Sequence, residues 1–219
     1  MAEDGPKEVK VVTAEPAAFG LLGLAIVTLV ACAIKMGWIA DNTTYAGNDA
    51  ALFLVPWAFF FGATAQFVTA LMEFRRNNSF GATAFGAYGM FWFALGLTYL
   101  WSYQYGLPLA TYEKQFMFAF IGMLIFNTYM MYGSMSLNKA LFFVFFFIEL
   151  FFIGLIAATY FGIPGYFAGL AELGVSIASF YASAAIILNN MAGCQVLPVG
   201  KPLIKLAKEK ECVAPKDVI

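Results

Sequence analysis

Long apolar runs, separated by short polar intervals, fill the chain from residue 16 to residue 193. The runs are continuous rather than alternating, so they predict helices and not barrel strands, because backbone in lipid must satisfy its own hydrogen bonds. Six spans follow: Pro16 to Met36, Ala50 to Met72, Ala82 to Ser102, Gln115 to Met135, Lys139 to Phe161 and Tyr166 to Asn190. Each has the roughly 20 residues needed to cross a hydrocarbon core about 30 Å thick. Pro16 suits the first turn of a helix, where its missing N–H costs nothing. The expected architecture is all-α: a polytopic membrane protein with six transmembrane helices per protomer. An amino arm (residues 1–15), a six-helix membrane domain (16–193) and a tail (194–219) make up the chain.

Composition supports this pattern. Of 219 residues, 62% are hydrophobic and 11% charged, less than half the charge of an average soluble domain. The arm is polar, without the apolar core of a signal peptide. Lysine and arginine fall unevenly between the two ends of the helices. Lys7, Lys10, Arg75, Arg76, Lys139 and five tail lysines lie on one side, against Lys35 and Lys114 on the other. That imbalance places both termini in the cytoplasm and the protein in the plasma membrane as a multi-pass chain. On this reading the two arginines set orientation and are not ligands.

The sequence contains no histidine. Haem ligation by histidine, the common zinc sites and Ser–His or Cys–His catalysis are therefore excluded. Cys32, Cys194 and Cys212 have no metal-site or redox spacing. No enzyme activity, metal or cofactor is expected, and nucleic acid is not an expected partner.

Polar residues inside the spans are few and share a level. At 1.5 Å per residue, Gln66, Tyr88, Asn127 and Glu149 all lie roughly 10 to 15 Å from the arginine-side ends of their helices. A shared cavity is the expectation. Glu172, Ser176, Ser179 and Ser183 fall on one face of the last span and predict a polar lane through the bundle. Glu149 and Glu172 are the acids well inside spans, with no cation expected at their depth, and are candidates for carrying protons. Without a deep lysine or arginine, a multiply charged anion would be desolvated uncompensated. A small monoanion, met by hydroxyl and amide donors, fits better, and weak binding is what conduction requires.

Small residues mark close helix contacts, with Gly165 and Gly169 as a GxxxG and Gly174, Ala178 and Ala182 continuing at every fourth position. The aromatic run Phe142 to Phe147 reads as bulk with no functional role.

Three motifs carry a resemblance. Glu15 to Leu21 reads EPAAFGL; Gly62 to Trp92 holds a Gln in a small-residue stretch, an acid, two arginines, FGATAF and YGMFW; Val196 to Gly200 reads VLPVG. Together they resemble the acetate uptake transporters, also called succinate–acetate permeases, over nearly the whole chain. The resemblance implies a hexamer of six-helix protomers, each with its own acetate path, working as a proton-coupled transporter or an anion channel. It implies an aromatic–aliphatic constriction at Leu24, Tyr88 and Ile148, with Glu15, Pro16 and Gly20 in the first motif. The path residues expected beside the constriction are Gln66, Asn127, Ser176, Ser179 and Thr64, and the Tyr88 hydroxyl is expected to offer the carboxylate a hydrogen bond. Departures from the family pattern are Glu15 for its Asn, Ala18 for Pro, Leu24 for Phe, Ile148 for Leu, and an acid at Glu149 in place of a neutral residue. Two other readings stand beside the carboxylate one: a permease for another small solute such as ammonia, and a membrane sensor or scaffold without transport.

Overall fold

The computed structural model describes residues 14–38, 49–106 and 110–206. Most of the amino arm, the end of the tail, Lys7, Lys10, Lys208, Lys210, Lys216 and Cys212 lie outside the described residues. Within them are α1 (Ala17–Lys35), α2 (Asp49–Trp57), α3 (Gln66–Arg75), α4 (Ser79–Gln104), α5 (Ala110–Ser134), α6 (Lys139–Phe161) and α7 (Tyr166–Ala192). A π-helical segment, Ala58–Ala65, joins α2 to α3, so these three make one span. Six helices among the described residues are thus long and apolar enough to cross a membrane. The expected spans match them with ends moved by a few residues, the fifth unchanged.

Caps explain several boundaries. Pro16 caps α1. The Asn78 side chain accepts from the Gly81 N–H at the start of α4, and Asn138 accepts from Leu141 N–H at the start of α6. Gly162 and Gly193 end α6 and α7 in the left-handed conformation, φ 65° at each. Asn77, with φ 57°, turns the chain between α3 and α4, a conformation asparagine tolerates better than most side chains.

The π-helical segment was not foreseen. Its widened turn is marked by Thr64, whose hydroxyl donates to the Phe59 carbonyl five residues back. Such segments recur at functional sites. This one meets α1 closely: a Cβ on Gly23 would lie 2.5 Å from the Phe61 carbonyl oxygen. Gly20 likewise leaves room for Phe85 and Thr69, which gives the glycine of the first motif a packing role.

The most extensive helix pair is α1 with α7, followed by α6 with α7. Ser176 donates to the Ala25 carbonyl at 2.8 Å and Ser183 to the Ala18 carbonyl at 2.7 Å, while Ser179 is fully buried in the same seam. The serine stripe therefore faces α1, and the expected polar lane is corrected to a helix seam. The described part of the tail lies on the surface and is pinned there. Asn189 holds the backbone of Val196 and Leu197, Tyr181 donates to the Pro198 carbonyl, Ala140 N–H to Val199 and Leu203 N–H to Met135. Gly200, at φ 78°, lies against the Lys139 side chain, where a Cβ would sit 2.8 Å from it. Residues 194–206 are a strap across the loop end of α5 and the start of α6.

Candidate functional site

Helices α1, α4 and α6 bring Leu24, Tyr88 and Ile148 into one buried cluster, each at most 5% exposed. The same three side chains line two cavities. One, of about 200 Å³, runs from Asn78, Leu137, Asn138 and Val199 at the arginine face down to the trio. The other, of about 20 Å³, lies on the far side against Trp92, Phe151 and Val175. The second chamber has room for little more than one water. A third cavity, about 310 Å³, lies at the opposite face and is lined by Lys35, Tyr99, Phe120, Thr159 and Ala168. The trio is shared by the first two cavities and does not line the third.

Tyr88 is held from behind. Its hydroxyl donates to Asn127 Oδ1 at 2.6 Å, and Asn127 Nδ2 donates to the Phe145 carbonyl at 3.0 Å and to a Glu149 carboxylate oxygen. Thr128 completes the chain by donating to the other Glu149 oxygen at 2.7 Å. Phe126 packs edge-on to the Tyr88 ring at 5.4 Å. Three of the residues expected at one depth are thus brought together by hydrogen bonds. One expectation changes: the Tyr88 hydroxyl gives its proton to Asn127, so what it turns toward the cavities is its ring and not a hydroxyl donor. Glu149 is half-buried between α5 and α6, behind the tyrosine and outside the cavity walls.

Gln66 does line the first cavity. Fully buried at the start of α3, it donates one amide hydrogen to the Gly62 carbonyl at 2.6 Å, and its Oε1 has no partner. A primary amide has two hydrogens, so one remains for a ligand. Thr64 is different. It is exposed on the outside of the π-helical segment and back-bonded to its own helix, which removes it from the expected path. Ser176 is removed as well, by its bond to α1, while Ser179 lines none of the three cavities and its buried hydroxyl has no partner. The α7 face that reaches the cavities carries Ala168, Val175, Ala182 and Ile186, turned by roughly 60° from the serines. Small apolar residues gave no signal that would separate a cavity wall from a core. Val144 and Phe145 were missed for the same reason: both line the first cavity from within the aromatic run.

At the arginine face, Glu15 is not an exposed repulsive charge. Its carboxylate meets the Arg76 guanidinium at 2.6 Å, and that ion pair pushes the Arg76 pKa up. Arg76 also lies 3.9 Å from the fully buried Glu73, whose other oxygen accepts from Asn78 at 2.8 Å. Arg76 therefore ties the start of α1 to the α3–α4 turn. The carboxylate standing for the family's asparagine has its own cation. Thr69 adds a contact by donating to the Pro16 carbonyl at 3.4 Å.

The absence of a cation near Glu172 is also corrected. Lys35 Nζ lies 2.9 Å from Glu172 Oε2 and 5.5 Å from the centre of the Phe151 ring. The sequence hid this pair because Lys35, at the far end of the first span, was counted as a surface charge, whereas its stem packs against Gly169 of α7.

Comparisons with known proteins agree with this architecture. The family model described as the GPR1/FUN34/yaaH family matches residues 5–201. The succinate-acetate/proton symporter SatP of Escherichia coli (strain K12) is 31% identical over 191 residues, 86% of this chain and 96% of SatP. Acetate permease A of Emericella nidulans is 31% identical over 148 residues, 64% of this chain and 47% of that protein. The solved structure of the bacterial acetate channel SatP superposes with a TM-score of 0.77 at 28% identity, covering 86% of this chain and all of that one. The chain thus belongs to the GPR1/FUN34/yaaH family, a family of membrane transporters and channels rather than enzymes.

Proposed function

We propose that this protein passes acetate and similar small monocarboxylates across the plasma membrane, through a path inside each protomer that narrows at Leu24, Tyr88 and Ile148. The observation that supports this most is that one trio of side chains bounds a cavity on each side. Aromatic and aliphatic walls suit the methyl end of acetate, while the remaining Gln66 amide hydrogen suits its carboxylate. Nothing in the first cavity's wall is a free cation, which favours weak binding and ready release. In this reading the arginine face is cytoplasmic, and protomers assemble into a homo-oligomer, a hexamer by family resemblance.

A proton-coupled form of the same reading rests on the hydrogen-bonded line from Tyr88 through Asn127 to Glu149. A change of protonation at Glu149 would act on the ring at the narrowest point. Radiolabelled acetate uptake into proteoliposomes tests the reading. It fails if purified protein gives neither uptake nor current with acetate between acid and neutral pH.

A further inference from the structure

The third cavity holds a feature the proposed path does not use. Lys35, in the last turn of α1, lines it together with Tyr99 and Thr159. Gly169 makes room for the lysine stem, since a Cβ there would come within 3.1 Å of Lys35 Cβ. One helical turn further along α7, Glu172 meets the ammonium at 2.9 Å. The two partners differ in exposure: the Glu172 side chain is 0% exposed, the Lys35 side chain 24%. The Glu172 Oε1 has no hydrogen-bond partner. An ammonium has three N–H donors, and one is given to Glu172. The cation is therefore held by a resident carboxylate on a lysine that also lines the cavity. Phe151, under the ammonium, also lines the small chamber next to Leu24, Tyr88 and Ile148.

We propose that this cavity is a loading site for the substrate carboxylate, with Lys35 as the binding cation and Glu172 as the resident counter-ion that limits how tightly, and how much, negative charge is held. The inference rests on the carboxylate reading above. A neutral Lys35–Glu172 pair attracts a monoanion through the exposed side of the ammonium. A dianion gains at most about twice that attraction but loses about four times the hydration energy, because the cost of desolvation grows as the square of the charge, and it is rejected. The same arrangement keeps acetate from being trapped, because Glu172 reclaims the ammonium as the substrate leaves toward Phe151.

Acetate flux in proteoliposomes, with malonate as a dianionic competitor, tests this. In the Glu172→Gln protein the half-saturating acetate concentration should fall by about fivefold, the scale of a partly exposed ion pair, and malonate should become an effective inhibitor. In the Lys35→Gln/Glu172→Gln protein, which strands no buried charge, both changes should disappear and half-saturation should rise above that of the unmodified protein. Half-saturation and malonate insensitivity unchanged in both variants would overturn the loading site while leaving the path itself intact. No acetate flux in the unmodified protein would overturn both. Should either variant fail to fold, amine-reactive labelling of Lys35 in the unmodified protein decides: acetate slows labelling if the site exists, and equal labelling with and without acetate overturns it.

Discussion

The Tyr88 hydroxyl donates to Asn127 Oδ1 at 2.6 Å, and both side chains are buried. The bond fixes the angle of the ring that stands between the two cavities. Tyr88→Phe keeps that ring and loses only the bond, worth about 0.6 kcal/mol on average inside membranes. Acetate flux should stay within a few-fold of the unmodified protein. Tyr88→Ala removes the ring, so flux of larger monocarboxylates such as benzoate should rise relative to acetate. Unchanged selectivity in Tyr88→Ala would move the constriction elsewhere.

Glu149 accepts from both Asn127 and Thr128. Glu149→Gln preserves the shape and removes the titratable proton. If the network couples protons to the gate, acetate accumulation driven by an imposed proton gradient is lost in this variant, while exchange of labelled for unlabelled acetate persists. Accumulation at the unmodified level would make Glu149 a structural acceptor.

Arg76 joins Glu15 and Glu73 near the start of α1. The Glu15 pair is about one-third exposed on both sides, so Glu15→Gln should cost at most about 1 kcal/mol, less at high salt. Arg76→Gln also strips the cation from fully buried Glu73 and should cost more, about 3 kcal/mol. Thermal unfolding in detergent should rank the two variants in that order.

Gly23 faces the π-helical segment, with the Phe61 carbonyl 2.5 Å from where a Cβ would sit. Backbone cannot rotate away as a side chain can, so Gly23→Ala forces α1 outward. A loss of about 1 to 3 kcal/mol, the usual cost of overpacking, should appear as a lower Tm. Gly122→Ala, where a Cβ meets nothing within 4 Å, serves as the control and should be neutral.

Much of the fold was legible because membrane helices announce themselves by length and continuity. The caps at Asn78 and Asn138 were not used in setting the spans, and α4 accordingly begins three residues before the expected Ala82. The π-helical segment was not legible: Ala58 to Ala65 reads as ordinary apolar helix, and no residue type in it marks a widened turn. Depth arithmetic grouped Tyr88, Asn127 and Glu149 correctly because rise per residue is nearly constant. Facing was the weaker quantity. Glu172, Ser176 and Ser183 share a helix face, yet a face identifies no neighbour, and theirs turned out to be α1. Lys35 was misjudged because a long aliphatic stem lets a charge reach well beyond its own Cα. Glu15 and Arg76 lie 61 positions apart in sequence, and their pairing emerges only from the fold.

Passage of carboxylate between Leu24, Tyr88 and Ile148 can be tested directly by blocking that point. In a protein with its cysteines replaced by serine, Leu24→Cys supplies a single thiol at that point. Acetate flux is measured before and after a methanethiosulfonate reagent, with labelling checked by mass spectrometry, and again after dithiothreitol. If carboxylate passes there, flux falls to background on labelling and returns on reduction. Full labelling with undiminished acetate flux would contradict it.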